Sequence, residues 1–287
     1  MPSSSGSSGQ TLGPLINGKR SLLHELCSGV KVPSWARSSD VCLAWPFPLA
    51  LLLCWFLISH FEWLPMQILP SPLLVVDTFF DILGTGELQT HTWISFKRVL
   101  AGFALGCGLG LMLGVVMGLS ETARDYLYPT FKIFAQVPSL GWLPLLMMLV
   151  GLEEALKIIL ISKSAFVPIT LNTFNGLRSV PTRYIEVARA FEFSRYQLLT
   201  KVVFPSAFPP IWNGVRYGLT HAWLALVGVE LLASTEGLGY LIVWGRQLFQ
   251  LDLVLAAVFV IGFIGLLLDK VLGLVESHIL RWRKAAF

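Results

Sequence analysis

Lys163 lies in the middle of IILISKSAFVPI, a stretch that is otherwise uncharged and largely apolar. An ammonium group in hydrocarbon costs roughly 2.5–3.5 kcal/mol on insertion scales, so it must face a cavity or a partner. Its chemistry is electrostatic: it attracts an anion in a pathway, or it pairs with Glu230 or with a backbone carbonyl. Elsewhere in the apolar runs stand Gln136, Ser139, Trp142, Asn172, Thr173, His221, Trp223 and Glu230. Side chains of these types hydrogen-bond a passing polar solute or a neighbouring helix. They do not compose a catalytic set. The chain has no HExxH, no GxSxG, no paired intramembrane Asp and no GxxxxGK[ST] phosphate loop. His and Cys do not cluster at metal spacing, and Cys27, Cys42, Cys54 and Cys107 read as small apolar residues. The pattern points to binding and passage rather than bond-making, with no cofactor or metal expected in this chain.

The elements that must position these residues are membrane spans. Of 287 residues 55% are hydrophobic and 13% charged, against about a quarter charged in soluble domains, and the mean hydropathy is +0.70. Six spans are expected, at about 41–59, 94–119, 129–150, 156–175, 207–232 and 252–275, each near the roughly 20 residues that cross the hydrocarbon core. The net charge of +4 does not indicate nucleic acid, because the basic residues sit in loops. Lys19, Arg20, Lys31 and Arg37 precede the first span, and Arg281, Arg283 and Lys284 follow the last. Residues 61–91 hold no Lys or Arg but carry Glu62, Asp77, Asp81 and Glu87. Positive residues therefore favour alternate loops, which places both termini in the cytoplasm. Lys97 and Arg98 break the pattern at the start of the second span.

Residues 1–40 are rich in Ser and Gly at their start and read as a disordered cytoplasmic segment. The first apolar run begins too far in for an ordinary signal peptide. The second span carries Gly102, Gly106, Gly108, Gly110, Gly114 and Gly118. Glycines four apart let helix backbones approach closely in lipid, within one chain or between two copies.

One loop, 178–205, is longer than its neighbours and rich in charge, with Arg178, Arg183, Glu186, Arg189, Glu192, Arg195 and Lys201. Leu198, Leu199, Val202 and Val203 fall on one helical stripe. Two short amphipathic helices, bent near Phe193–Ser194, are predicted, with Pro205, Pro209 and Pro210 ending the motif. Such a pair docks a soluble partner or lies on lipid headgroups.

This loop resembles the EAA loop of ABC importer permeases. Glu186-Val187-Ala188 matches its start and Val202-Val203-Phe204-Pro205 its end. Further segments are similar to the subfamily that moves nitrate, sulfonates and taurine. They are Leu69-Pro70-Ser71-Pro72, Gly86-Glu87-Leu88 with His91 and Ser95 to Gly102, the stretch from Gln136 to Leu145, Val229 to Ala233, and Gly237-Leu238-Gly239-Tyr240. The resemblance covers about 64–275. It implies an all-α, six-span permease with the type I importer core, working as a homodimer in the bacterial inner membrane. Two cytoplasmic ATP-binding subunits would carry the ATP and Mg and dock on the loop, and a periplasmic binding protein would deliver a small, anionic solute. It assigns ATPase coupling to Glu186, Ala188, Arg189, Glu192, Ser194 and Arg195. The translocation pathway is expected at Gln136, Ser139, Trp142, Lys163, Asn172, His221, Trp223 and Glu230. Glu192 replaces the motif glycine, where glycine permits a left-handed or tight turn and Glu carries a steric penalty; either the bend is reshaped or Glu192 adds an acid that meets a basic ATPase groove. Glu153 and Gly141 depart from the pattern at less demanding places.

The expected organisation is a segment 1–40, a first span 41–60, a periplasmic segment 61–93, a permease core 94–275 and a cytoplasmic tail 276–287. The rival reading is an ATP-independent secondary transporter or channel, which leaves the long loop unexplained and lacks a convincing internal repeat.

Overall fold

A computed structural model describes residues 46–279. The expected disordered segment 1–40, the start of the first span, Cys27, Cys42 and the end of the tail lie outside the described residues. The chain divides into two units, 1–61 and 62–287. In the first, α1 (Pro46–His60) is a uniformly apolar helix with no buried residue. At 15 residues it is about 23 Å long, shorter than a span on its own.

Among its described residues the second unit is helical wherever it is regular. Helix α2 (Pro72–Gly84) starts on the Ser71 hydroxyl, which accepts from the Leu74 N–H at 3.2 Å, with Pro72 in the first turn. It lies within the segment 61–93 that the sequence places between the first two spans. Helix α3 (Glu87–Leu119) follows, then α4 (Glu121–Gln136), a 3₁₀ turn at Ser139–Trp142 and α5 (Leu143–Val150). Helix α6 (Glu154–Arg178) leads to α7 (Thr182–Ala190) and α8 (Arg195–Leu198). A π turn, Leu199–Val203, joins α8 to α9 (Phe204–Ala233), and α10 (Leu238–Gln247) and α11 (Leu251–Ile279) complete the unit.

Helix α6 is the hub. Five of the six glycines of α3 face it. A Cβ on Gly102 would stand 2.6 Å from the Ile161 side chain, and one on Gly114 the same distance from Thr173. On the other side, Gly214 and Gly218 of α9 meet Asn172 and Ile169. The glycine stripe is thus a seam within the chain. Gly108 alone points into open space.

Among the described residues, α3, the run 195–247 and α11 are long and apolar enough to cross a membrane. The pair α4–α5 passes as a fourth, bent by 88° at the break. The sixfold count expected from sequence is therefore not reached by length and composition. Helix α6, about 38 Å long, is not among them. Pro205, Pro209 and Pro210, expected to end the loop motif and open the fifth span, lie in the first two turns of α9. The Pro210 ring packs where Gly176 of α6 leaves room.

Candidate functional site

The third expected span is interrupted where α4 stops at Val137–Pro138. A broken helix leaves backbone carbonyls without their i+4 partners, and at membrane depth they must be satisfied by another group. Lys163 supplies it: its ammonium donates to the Val137 carbonyl at 2.6 Å. The same ammonium lies 5.0 Å from the centre of the Phe134 ring and 5.8 Å from that of Trp142. The side chain is almost fully buried. Of the two alternatives left open by sequence, the carbonyl and not Glu230 is its partner here.

Lys163 also lines a cavity of about 380 Å³ with Ser139, Ser164, Pro168 and His221. The structure therefore brings Ser139, Lys163 and His221 together from the expected pathway residues. Trp142 stands beside them, its indole N–H buried without a hydrogen-bond partner among the described residues. Gln136 is exposed at the end of α4. Asn172 donates to the Pro168 carbonyl at 2.8 Å and packs on Gly214. Trp223 is buried against Gly265 of α11, away from the cavity.

Glu230 belongs to a second constellation, at the end of α9 far from α7. Arg98 forks across Glu154, with its Nε and Nη2 at 2.8 and 2.6 Å. Its Nη1 donates to Glu230 at 2.9 Å and to the Glu236 carbonyl at 2.7 Å. Ser95 donates to the Glu230 carboxylate and accepts the Leu238 N–H. The Gly239 N–H donates to Glu230 as well, and the Gly237 N–H donates to His91 Nδ1. The Gly-Leu-Gly-Tyr segment is explained by this packing. Gly237 has φ +110°, and a Cβ there would strike the Glu230 carboxylate. Arg98 is thus buried and paired, while Lys97, one residue earlier and about 100° round the helix, is exposed. Sequence marks the pair as a break in the charge pattern and, within Ser95 to Gly102, as part of the resemblance to the family's entry to the core domain. Glu154 lies ahead of the expected span, and Arg98, helped by Lys157, holds its carboxyl below its ordinary 4.5, at about 2. The depressed value means that the pair's contribution is complete above about pH 4.5 and fades only as pH falls towards 2.

The loop 178–205 forms the expected elbow. Helix α7 ends in a Schellman arrangement: Phe193 N–H donates to the Ala188 carbonyl at 3.0 Å and Glu192 N–H to that of Arg189 at 2.9 Å. Glu192 holds the left-handed position of this cap, at φ +54°. Glu192 thus occupies the left-handed position for which the motif supplies glycine. Ser194 then caps α8 reciprocally with Gln197. Glu186, Arg189, Glu192 and Arg195 are exposed, whereas Ala188 is buried beneath α7. Tyr184, Val187, Phe191 and Tyr196 are exposed apolar groups on the same elbow. Sequence reading overlooked them, although they stand off the buried stripe that it did find.

Glu192→Gly should stabilise the elbow by about 1 kcal/mol, since a non-glycine residue in this conformation costs roughly 1–2 kcal/mol and added unfolded-state freedom offsets part of the gain. Slower amide hydrogen exchange at Phe191–Phe193 is the expected readout. Faster exchange would show that the Glu192 side chain holds the turn.

Residues 106–281 match the family described as binding-protein-dependent transport system inner membrane component. The chain is 39% identical to a putative aliphatic sulfonates transport permease protein of Bacillus subtilis (strain 168), over 83% of this chain and 86% of that protein. It is 32% identical to the taurine transport system permease protein of Escherichia coli (strain K12), over 86% and 92%. It is 33% identical to the nitrate import permease protein of Synechocystis sp. (strain ATCC 27184 / PCC 6803 / Kazusa), over 74% and 78%. Among solved structures it resembles a chain of an inward-facing methionine ABC transporter, MetNI, at TM-score 0.52 and 18% identity, over 66% of this chain and 95% of that one. It also resembles a chain of an amino acid ABC transporter solved with histidines, at TM-score 0.53 and 16% identity, over 70% and 98%.

Proposed function

The chain belongs to the binding-protein-dependent transport system inner membrane component family, and from that premise we propose that it forms the translocation pathway of an ATP-driven importer for a small anion of sulfonate, taurine or nitrate type. The observation that carries the anion is Lys163 at the helix break, facing a cavity with Ser139 and His221. An ammonium has three donors. One is spent on the Val137 carbonyl, which leaves two for a ligand. In a site walled by Phe134, Val167 and Leu171, charge attraction is stronger than in water. The sulfonate, taurine and nitrate permeases among the relatives support the same solute class.

The elbow is the coupling surface in this reading. Its aromatic and aliphatic groups supply apolar contact area, and Glu186, Arg189 and Arg195 supply charge-assisted hydrogen bonds around it. ATP and Mg would be held by two cytoplasmic subunits, one on the elbow of each of two permease copies. A periplasmic binding protein would deliver the solute, with both termini of this chain in the cytoplasm of a bacterial cell.

Lys163→Met should lower uptake of a sulfonate such as taurine by about tenfold to a hundredfold, because a hydrogen bond to a charged group is worth roughly 1.5–3 kcal/mol. ATPase co-purification should be unchanged. Uptake equal to the parent chain would remove Lys163 from the pathway. Purification of the chain from native membranes should bring a stoichiometric partner with a phosphate loop. A chain that comes alone through several mild detergents would favour an ATP-independent transporter instead.

A further inference from the structure

Helices α9 and α11 together line two adjoining cavities. One, of about 400 Å³, is lined by apolar groups, among them Leu219, Trp223, Leu224, Ile261, Gly262 and Leu266. The other, of about 330 Å³, is lined by Asn213, Arg216, Tyr217, Thr220 and Asp269. Thr220 and Asp269 belong to both, so the apolar groove opens into the polar cavity at its α7 end. The run 195–247, which contains α9, and α11 are long and apolar enough to cross a membrane. A polar cavity that continues into an apolar groove along a spanning helix has the shape of a lipid's headgroup followed by its chain.

The charges select the headgroup. Arg216 is forked on Asp269 through Nε and Nη2, at 2.8 and 2.9 Å, and meets Glu276 through Nη1 at 3.1 Å. Two carboxylates on one guanidinium leave one negative charge in excess, and both remain partly exposed. That excess repels an anionic phosphatidylglycerol and attracts an ammonium group. The Asn213 amide and the Tyr217 hydroxyl, both on exposed residues, are donors suited to a phosphate. The groove also has spare room, since a Cβ on Gly262 would meet nothing within 4 Å.

We propose that the groove between α9 and α11 holds one phospholipid with a primary-amine headgroup, its ammonium on Asp269 and Glu276 and one acyl chain beside Trp223 and Gly262. This rests on α9 and α11 spanning the membrane, with the headgroup in the leaflet on the α7 side.

The test is native mass spectrometry of the detergent-purified full chain, delipidated and then titrated with phosphatidylethanolamine, phosphatidylglycerol or phosphatidylcholine. The parent chain should retain one phosphatidylethanolamine per copy, at least tenfold in preference to phosphatidylglycerol. Gly262→Phe fills the groove and should lose retention of all three lipids with unchanged helical content. Asp269→Asn should bring the two retentions within about twofold, and Glu276→Gln should shift them the same way if the first variant does not fold. Equal retention of the three lipids by the parent, or unaltered retention by Gly262→Phe, would overturn the proposal. So would a parent that retains none because a second copy covers the groove. Uptake is not the readout, so failure here leaves the transport reading standing.

Discussion

Arg98→Met should leave almost no folded protein in the membrane, with a loss of about 3–5 kcal/mol, the cost of stranding a buried charge. Glu230 is 1% exposed and Arg98 4%. Without the guanidinium, Glu230 keeps the Ser95 hydroxyl and the Gly239 N–H but loses its countercharge. The Glu236 carbonyl and Glu154 lose a donor at the same time. The cluster holds the start of α3, the start of α6, the end of α9 and the entry to α10 together, so the damage is not local. Glu230→Gln should be milder, because the amide keeps an acceptor for Gly239 and Ser95. The double variant Arg98→Met/Glu230→Met should recover part of the loss, as a paired charge replaced by apolar groups of similar volume often costs little. Thermal midpoint and the monodisperse fraction in detergent measure all three. A single Arg98→Met chain as stable as the parent would show that the network contributes nothing net.

Much of this molecule was legible in its sequence, for identifiable reasons. The elbow was found because amphipathic spacing and charge survive in a short segment. The strain at Glu192 was found because one position of that cap requires a left-handed backbone. What sequence reading blurred were features set by partners far along the chain. Lys97 and Arg98 look alike in sequence, and only the helical rotation between them sends one outward and the other to Glu154 and Glu230. Helix α3 begins at Glu87, before the expected 94. The break at Val137–Pro138 was hidden inside an apolar run, although Pro138 was a visible signal. Its meaning depended on Lys163, which is 26 residues away. Glu230 and Lys163 are both intramembrane charges by sequence, yet one is closed within an ion network and the other borders a cavity.

The glycine stripe poses the same problem in its sharpest form, and substitution can resolve it. Gly106→Leu should separate α3 from α6. A Cβ at that position runs into the Ser162 carbonyl and stands 2.9 Å from the Ala165 Cβ, and neither backbone nor a short side chain can swing aside. The helices must part along the seam that Gly102, Gly110 and Gly114 also keep closed. The cost should reach or exceed the upper end of the roughly 1–3 kcal/mol typical of overpacking, seen as a lowered thermal midpoint and loss of monodisperse protein. Gly108→Leu is the discriminating control. It adds the same volume to the same helix two residues on, where nothing lies within 4 Å. If the seam is internal, Gly108→Leu should fold with an unchanged midpoint while Gly106→Leu does not. If instead the stripe joined two copies, Gly106→Leu would yield a stable monomer, and the close approach of α3 to α6 would carry little of the fold's stability. A third result, in which Gly108→Leu alone weakens self-association of an intact fold, would place a second copy on the open face of α3 and leave the internal seam as described.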